Sequence, residues 1–78
     1  MGWDTIKSEL KKKIEENIPG AEVYEYSHYL HVKKGDKGAR IFLSYGNLRV
    51  LDETTRKFLV FPPDKIDDIV DKVKDILK

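Results

Sequence analysis

The side chains of this 78-residue chain that could do chemistry are two histidines, a few serines and two groups of carboxylates. His28 and His31 are three positions apart. On a regular strand an odd separation sends neighbours to opposite faces, so the pair is not expected to hold a metal. One half-buried and one surface histidine is the expectation. Ser27 and Ser44 sit in no Gly-x-Ser-x-Gly elbow, so no serine hydrolase site is expected. Asp52 and Glu53 are adjacent and should point apart, charging a turn rather than flanking a substrate. Asp64, Asp67, Asp68, Asp71 and Asp75 recur along one segment, but lysines interleave them, as on a solvated helix face. There is no cysteine, which excludes a thiol nucleophile, a cysteine-ligated zinc and an iron–sulfur cluster. With no catalytic constellation and no cofactor motif, the chain is expected not to be an enzyme and to need no cofactor.

One stretch invites an anion. Lys33-Lys34-Gly35-Asp36-Lys37-Gly38-Ala39-Arg40 sets basic side chains around two glycines whose backbone N–H groups could cradle a phosphate. A phosphate loop, however, runs from strand to helix and ends in Gly-Lys-Ser or Gly-Lys-Thr, whereas this one joins two strands. A polar hairpin turn with lysines guarding it is the preferred reading.

The elements that position these groups follow from periodicity. Trp3, Ile6, Leu10, Ile14 and Ile18 recur at steps of three and four, the stripe of an amphipathic helix. Asp4 is placed to cap it, Glu9–Lys13 and Lys11–Glu15 to form ion pairs, and Pro19-Gly20 to end it. Residues 21–34 alternate Val, Tyr and His with polar residues, as a β segment too long for one straight strand, either bent near Ser27-His28 or split into two strands. Gly35 to Gly38 reads as a turn, Ala39 to Tyr45 as the return strand and Gly46-Asn47 as a second turn. Leu48 to Asp52 is a third strand, Glu53 to Arg56 a turn, and Lys57 to Phe61 a short fourth strand. Pro62-Pro63-Asp64 opens a last helix with Ile66, Ile69, Val70, Val73, Ile76 and Leu77 on one stripe. Short connections make the sheet an antiparallel meander.

The fold class is therefore α+β. A single 1–78 domain has two layers: a helix, a meander of three or four strands, and a helix, both helices on one face of the sheet. If Leu30, Val32, Ile41, Leu43 and Val50 face the helices, then Tyr29, His31, Lys33, Arg40, Phe42 and Arg49 face outward. Tyr24 and Tyr26 join them if the strand changes parity at Ser27. These eight form the candidate binding face. Three readings compete for it: an inert surface of good sheet formers, a contact for a protein partner or a weak homodimer, and single-stranded nucleic-acid binding by stacked rings beside basic groups. Contact with a protein or with itself is the leading functional expectation, and nucleic acid is the alternative.

Composition bounds these readings. A chain of this length buries only about 60% of its unfolded surface and cannot build a second core. No apolar run approaches the roughly 20 residues of a membrane span. The start Met1-Gly2-Trp3-Asp4 carries no signal-like pattern, so the expectation is cytoplasmic. Net charge is +1, far from the basic excess of a dedicated duplex binder. Residues 21–61 hold seven Lys or Arg against five Asp or Glu, the one basic bias along the chain. Charged residues make up 37%, Gln is absent, and Met occurs only at position 1, which suggests a thermophilic source. The Pro-Gly end of the first helix, the strand Val23-Tyr24-Glu25-Tyr26 and the closing Phe61-Pro62-Pro63-Asp64 helix resemble a group of small proteins of hyperthermophilic archaea. The resemblance spans essentially the whole chain and implies the helix–sheet–helix layout. It implies no activity.

Overall fold

The first apolar stripe folds as helix α1, Trp3–Asn17, in a computed structural model that describes residues 2–78. Ile6, Leu10, Ile14 and Ile18 are all buried. At 3.6 residues per turn they fall on one side. The N-cap is Gly2 and makes no side-chain cap bond. Asp4, expected at the cap, lies one residue inside the helix, where its charge still complements the positive end of the helix dipole. Gly20, at φ +85°, reverses the chain beyond the helix, a conformation glycine adopts without steric cost.

Residues 21–34, which the sequence leaves open as one bent strand or two, resolve as two: β1 (Glu22–Glu25) and β2 (Tyr29–Lys34), paired antiparallel with Tyr24 opposite His31. The reversal is closed by the Tyr26 N–H, which donates to the Tyr29 carbonyl at 3.0 Å. Helix α1 holds it. Trp3 Nε1 donates to the Ser27 carbonyl at 3.1 Å, and Lys7 Nζ donates to the Tyr26 carbonyl at 3.0 Å. Lys7 is only 8% exposed, and its charge is met by Asp4 at 3.8 Å and Glu25 at 3.9 Å.

Three further strands follow: β3 (Lys37–Ser44), β4 (Asn47–Asp52) and β5 (Lys57–Phe61). The sheet is an antiparallel meander in the order β1-β2-β3-β4-β5, so it has five strands instead of three or four. The first turn is tighter than the sequence suggests, and the second lies one residue earlier than Gly46-Asn47. Lys34 pairs with Lys37 around Gly35-Asp36, and Ser44 pairs with Asn47 around Tyr45-Gly46. Tyr45 and Gly46 both have positive φ, at 50° and 78°, which matches the twist of the flanking strands. Asp52 organises the last turn. Its Oδ1 accepts from the Thr54 N–H at 2.9 Å, and its carbonyl accepts from the Arg56 N–H at 2.7 Å.

Helix α2 covers Ile66–Ile76. Pro62 to Asp64 precede it as a turn and are not its first helical residues. The Lys65 N–H donates to the Pro62 carbonyl, and Lys65 is the N-cap. Phe61 still pairs with Leu48 in the sheet, so these residues carry the chain from β5 to α2.

A single buried cluster joins the layers. It takes Ile6, Leu10 and Ile14 from α1, Ile69, Val73 and Ile76 from α2, and Leu30, Val32, Ala39, Ile41, Leu48 and Val50 from the sheet. Leu43 shares the alternation of these strand residues but lies at the sheet margin and is 37% exposed. The helices touch each other; α1 rests on β1 and β2, and α2 on β3 and β4. Lys13 spans the two helices, donating to Asp67 Oδ1 at 2.7 Å while also lying 3.9 Å from Glu9. Among the described residues the Lys11–Glu15 pair does not form. No helix among them is long and apolar enough to cross a membrane.

Candidate binding face

Cross-strand register decides which side chains meet. Residues directly opposite on neighbouring strands point to the same side of the sheet. Leu30, Ile41 and Val50 form one such row and are buried in the core. The rows on either side must therefore face away from it. One is Tyr24–His31–Arg40–Leu51–Phe58, and the other is Tyr29–Phe42–Arg49–Val60.

Six of the expected site residues, Tyr24, Tyr29, His31, Arg40, Phe42 and Arg49, occupy these two rows. Lys33 lies in the next row, opposite Glu22 and Gly38. Tyr26 joins through its ring, stacked on Tyr29 at 4.8 Å between centroids. The structure thus brings all eight to one face. The parity change that admits Tyr24 comes from the turn between β1 and β2.

The rings form a ladder across the sheet. From Tyr26 it passes to Tyr29, then to Phe42 at 5.4 Å, then to Phe58 at 6.5 Å. Tyr24 lies 6.2 Å from the His31 ring at the β1 side. Two guanidiniums cover rings: Arg40 over Tyr29 at 5.4 Å and Arg49 over Phe58 at 6.0 Å. Such contacts use the negative face of the ring. Tyr29 and Phe42 are half-buried by their neighbours, whereas Phe58 is 51% and Val60 56% exposed. Sequence reasoning missed Phe58. In Lys57–Phe61 the central residues Phe58, Leu59 and Val60 are all apolar and the one charge, Lys57, falls in the set of Leu59, so the pattern does not mark Phe58 as outward.

A polar corner adjoins the ladder. The Glu53 N–H donates to the Gly38 carbonyl, which extends the pairing by one residue and lays the Glu53 side chain across Gly38. Its carboxylate lies 2.6 Å from His31 Nε2, and Arg40 Nε lies 3.3 Å from the other oxygen. Arg40 Nε is buried and makes no aligned hydrogen bond, so that contact is ionic only. Glu53 therefore does more than charge a turn: it ties β4 to β2 over the one position where no β-carbon stands between. Beside it opens a hollow of about 430 Å³ lined by His31, Lys33, Asp36, Lys37, Gly38, Glu53 and Thr54. The place beside Gly38 that an anion would take is filled by the chain's own carboxylate.

Two other groups complete the picture. The Tyr24 hydroxyl donates to the Glu22 carboxylate, and that bond, helped by the negative charge, pushes the phenol above its ordinary value of 10.0. His28 is exposed and borders an open hollow with Phe42, Arg49 and Phe58. Among the described residues no cluster of three or more His, Asp or Glu could hold a metal ion. Comparison with protein-family models, curated proteins and solved structures finds no significant match to this chain.

Proposed function

We propose that this chain is a non-catalytic interaction module whose ring-lined sheet face takes a protein partner. This reading places both helices on the core side, as the single cluster shared by their stripes and the Leu30–Ile41–Val50 row supports. The observation that carries it is the ladder Tyr26–Tyr29–Phe42–Phe58, which ends on the exposed pair Phe58 and Val60. Rings and arginines on a surface of low net charge are what protein contacts favour. The test is capture from an extract of the source cells with wild type, Tyr29→Ala and Phe58→Ala, folding checked by circular dichroism. Both variants should lose the wild-type partner. Unchanged capture by folded variants would remove the reading.

A second reading rests on the two guanidiniums over rings. Single-stranded nucleic acid is bound by stacked bases beside basic groups, with strong salt dependence. The face offers five tyrosine and phenylalanine rings, Arg49 and Lys33, but Arg40 is already neutralised by Glu53. That loss of a free cation is why protein contact is placed first. Fluorescence titration of a mixed-sequence oligonucleotide at low salt tests the second reading, and absence of binding there disposes of it.

A further inference from the structure

The two edges of the sheet are built differently. β1 has four residues, begins and ends on Glu22 and Glu25, and its turn is held by Trp3 and Lys7 of α1. Short length, charge and a covering helix are the devices that keep an edge from pairing. β5 is one residue longer, carries a single charge at its first position, Lys57, and has no main helix contact over it. Its three central residues are apolar and exposed on both faces: Phe58 51%, Leu59 41% and Val60 56%. It pairs only with β4, so alternate N–H and C=O groups along its other side have no strand partner. The main helix contacts stop at β4, leaving Leu59 at the mouth of an open hollow beside Lys72 and Ile76 of α2.

The geometry points to a second copy of this chain as the occupant of that edge, added strand to strand as β5 against β5. The strand is complementary to itself. Antiparallel pairing about a two-fold axis through Leu59, perpendicular to the sheet, sets Leu59 against Leu59 and Phe58 of one copy against Val60 of the other. Lys57 of one copy then meets Phe61 of the other, a cation beside a ring. The two Lys57 residues lie at opposite ends, so no like charges face each other. The net charge of +1 gives little repulsion between copies. The join makes a ten-stranded sheet with both helical layers on the same side and a ladder that continues from one copy toward the other. Five residues span only about 17 Å. Such an edge falls short of the roughly 800 Å² per partner of a stable complex, so the dimer is weak and concentration-dependent. This inference concerns the strand edge and stands whether or not the ring-lined face takes a partner.

Sedimentation velocity from about 10 μM to about 1 mM should show the mean mass rising from monomer toward dimer. Leu59→Lys should hold it at monomer, with folding followed by circular dichroism. A second measurement does not depend on that variant. The chain has no cysteine, and directly opposite residues of antiparallel strands lie about 4.5–5.5 Å apart at Cα, within disulfide range. Leu59→Cys should therefore oxidise to a covalent dimer at least about tenfold faster than Lys12→Cys on the exposed side of α1. Tyr29→Ala should leave that rate unchanged, which separates the edge from the ring-lined face. A monomer at every concentration, or equal oxidation of the two cysteine variants, overturns the proposal. So does a different protein pairing with β5 while the chain alone stays monomeric.

Discussion

The carboxylate of Glu53 lies 2.6 Å from His31 Nε2 and is laid directly across the α-carbon of Gly38. The contact joins β2 to the end of β4 over the top of β3. It depends on the absence of a side chain at position 38. A β-carbon there would press on Glu53 Oε1 and stand 3.4 Å from its Cδ and 3.5 Å from His31 Nε2.

Gly38→Ala should therefore expel the carboxylate and cost up to about 1.5–3 kcal/mol, the range for a lost hydrogen bond to a charged group. The same substitution in a Glu53→Ala background should cost much less, because nothing remains to be displaced. Urea unfolding of the two single variants and the double variant measures the coupling. Additive costs would show that Gly38 is needed for some other reason.

Lys7 gives a different kind of prediction. Its amine is nearly sealed and satisfies the Tyr26 carbonyl, so Lys7→Met should leave that carbonyl without its partner while keeping the apolar stem. The expected cost is about 1–3 kcal/mol, more than a surface lysine would show. The effect should be local. Amide exchange should quicken at Tyr26 to His28 and stay slow across β3 and β4. Uniform acceleration would contradict the idea that Lys7 acts through the turn.

The same turn shows where the sequence stops being legible. Alternation alone separates Leu30, Val32, Ile41 and Val50 from Tyr29, His31, Arg40 and Phe42, because away from the strand ends the charged residues fall on one side only. Both helices are legible for the same reason, at a period of 3.6. The break between β1 and β2 is legible only in part: the length of residues 21–34 places it near Ser27-His28 but does not tell a bend from a reversal. It contains no Gly, Pro or Asn-Gly signal, and the groups that fix it, Trp3 and Lys7, lie 24 and 19 residues away. A turn specified by distant side chains carries no local signal of its type. The Glu53–Gly38 contact is hidden for a related reason, since it requires the register of three strands. Phe58 is hidden because Phe58, Leu59 and Val60 are all apolar and the one charge of the strand, Lys57, falls in the set of Leu59.

Burial within the core makes a quantitative contrast. Ile69 is fully buried in the shared cluster, whereas Leu43, on the same side of the sheet, is 37% exposed at its margin. Ile69→Ala should cost about 2–5 kcal/mol, the sum of lost transfer energy and the cavity left behind. Leu43→Ala should cost clearly less, because solvent already reaches the site and fills the space. Thermal or urea unfolding of the two variants decides this, and similar costs would mean that the margin around Leu43 is closed in solution.

Tyr24 makes the pH dependence explicit. Its neutral hydroxyl donates to the Glu22 carboxylate, and ionisation would replace that bond with two adjacent negative charges. The phenol in the folded chain therefore titrates above the ordinary 10.0, first because of the bond and then because of the charge of Glu22. Unfolding separates the pair and returns the phenol toward its ordinary value. A group whose folded value is raised stabilises the fold fully below the unfolded value and loses that contribution as pH rises through the folded one. Stability should thus show no Tyr24-dependent change below about pH 10 and should decline above it. Following the Tyr24 ring by NMR across alkaline pH measures the titration directly. Glu22→Gln removes the charge and should move the titration down toward 10.0 while the other tyrosines stay where they are. A Tyr24 that titrates at its ordinary value, or one that ignores the loss of the Glu22 charge, would show that the hydroxyl and the carboxylate do not hold each other in solution.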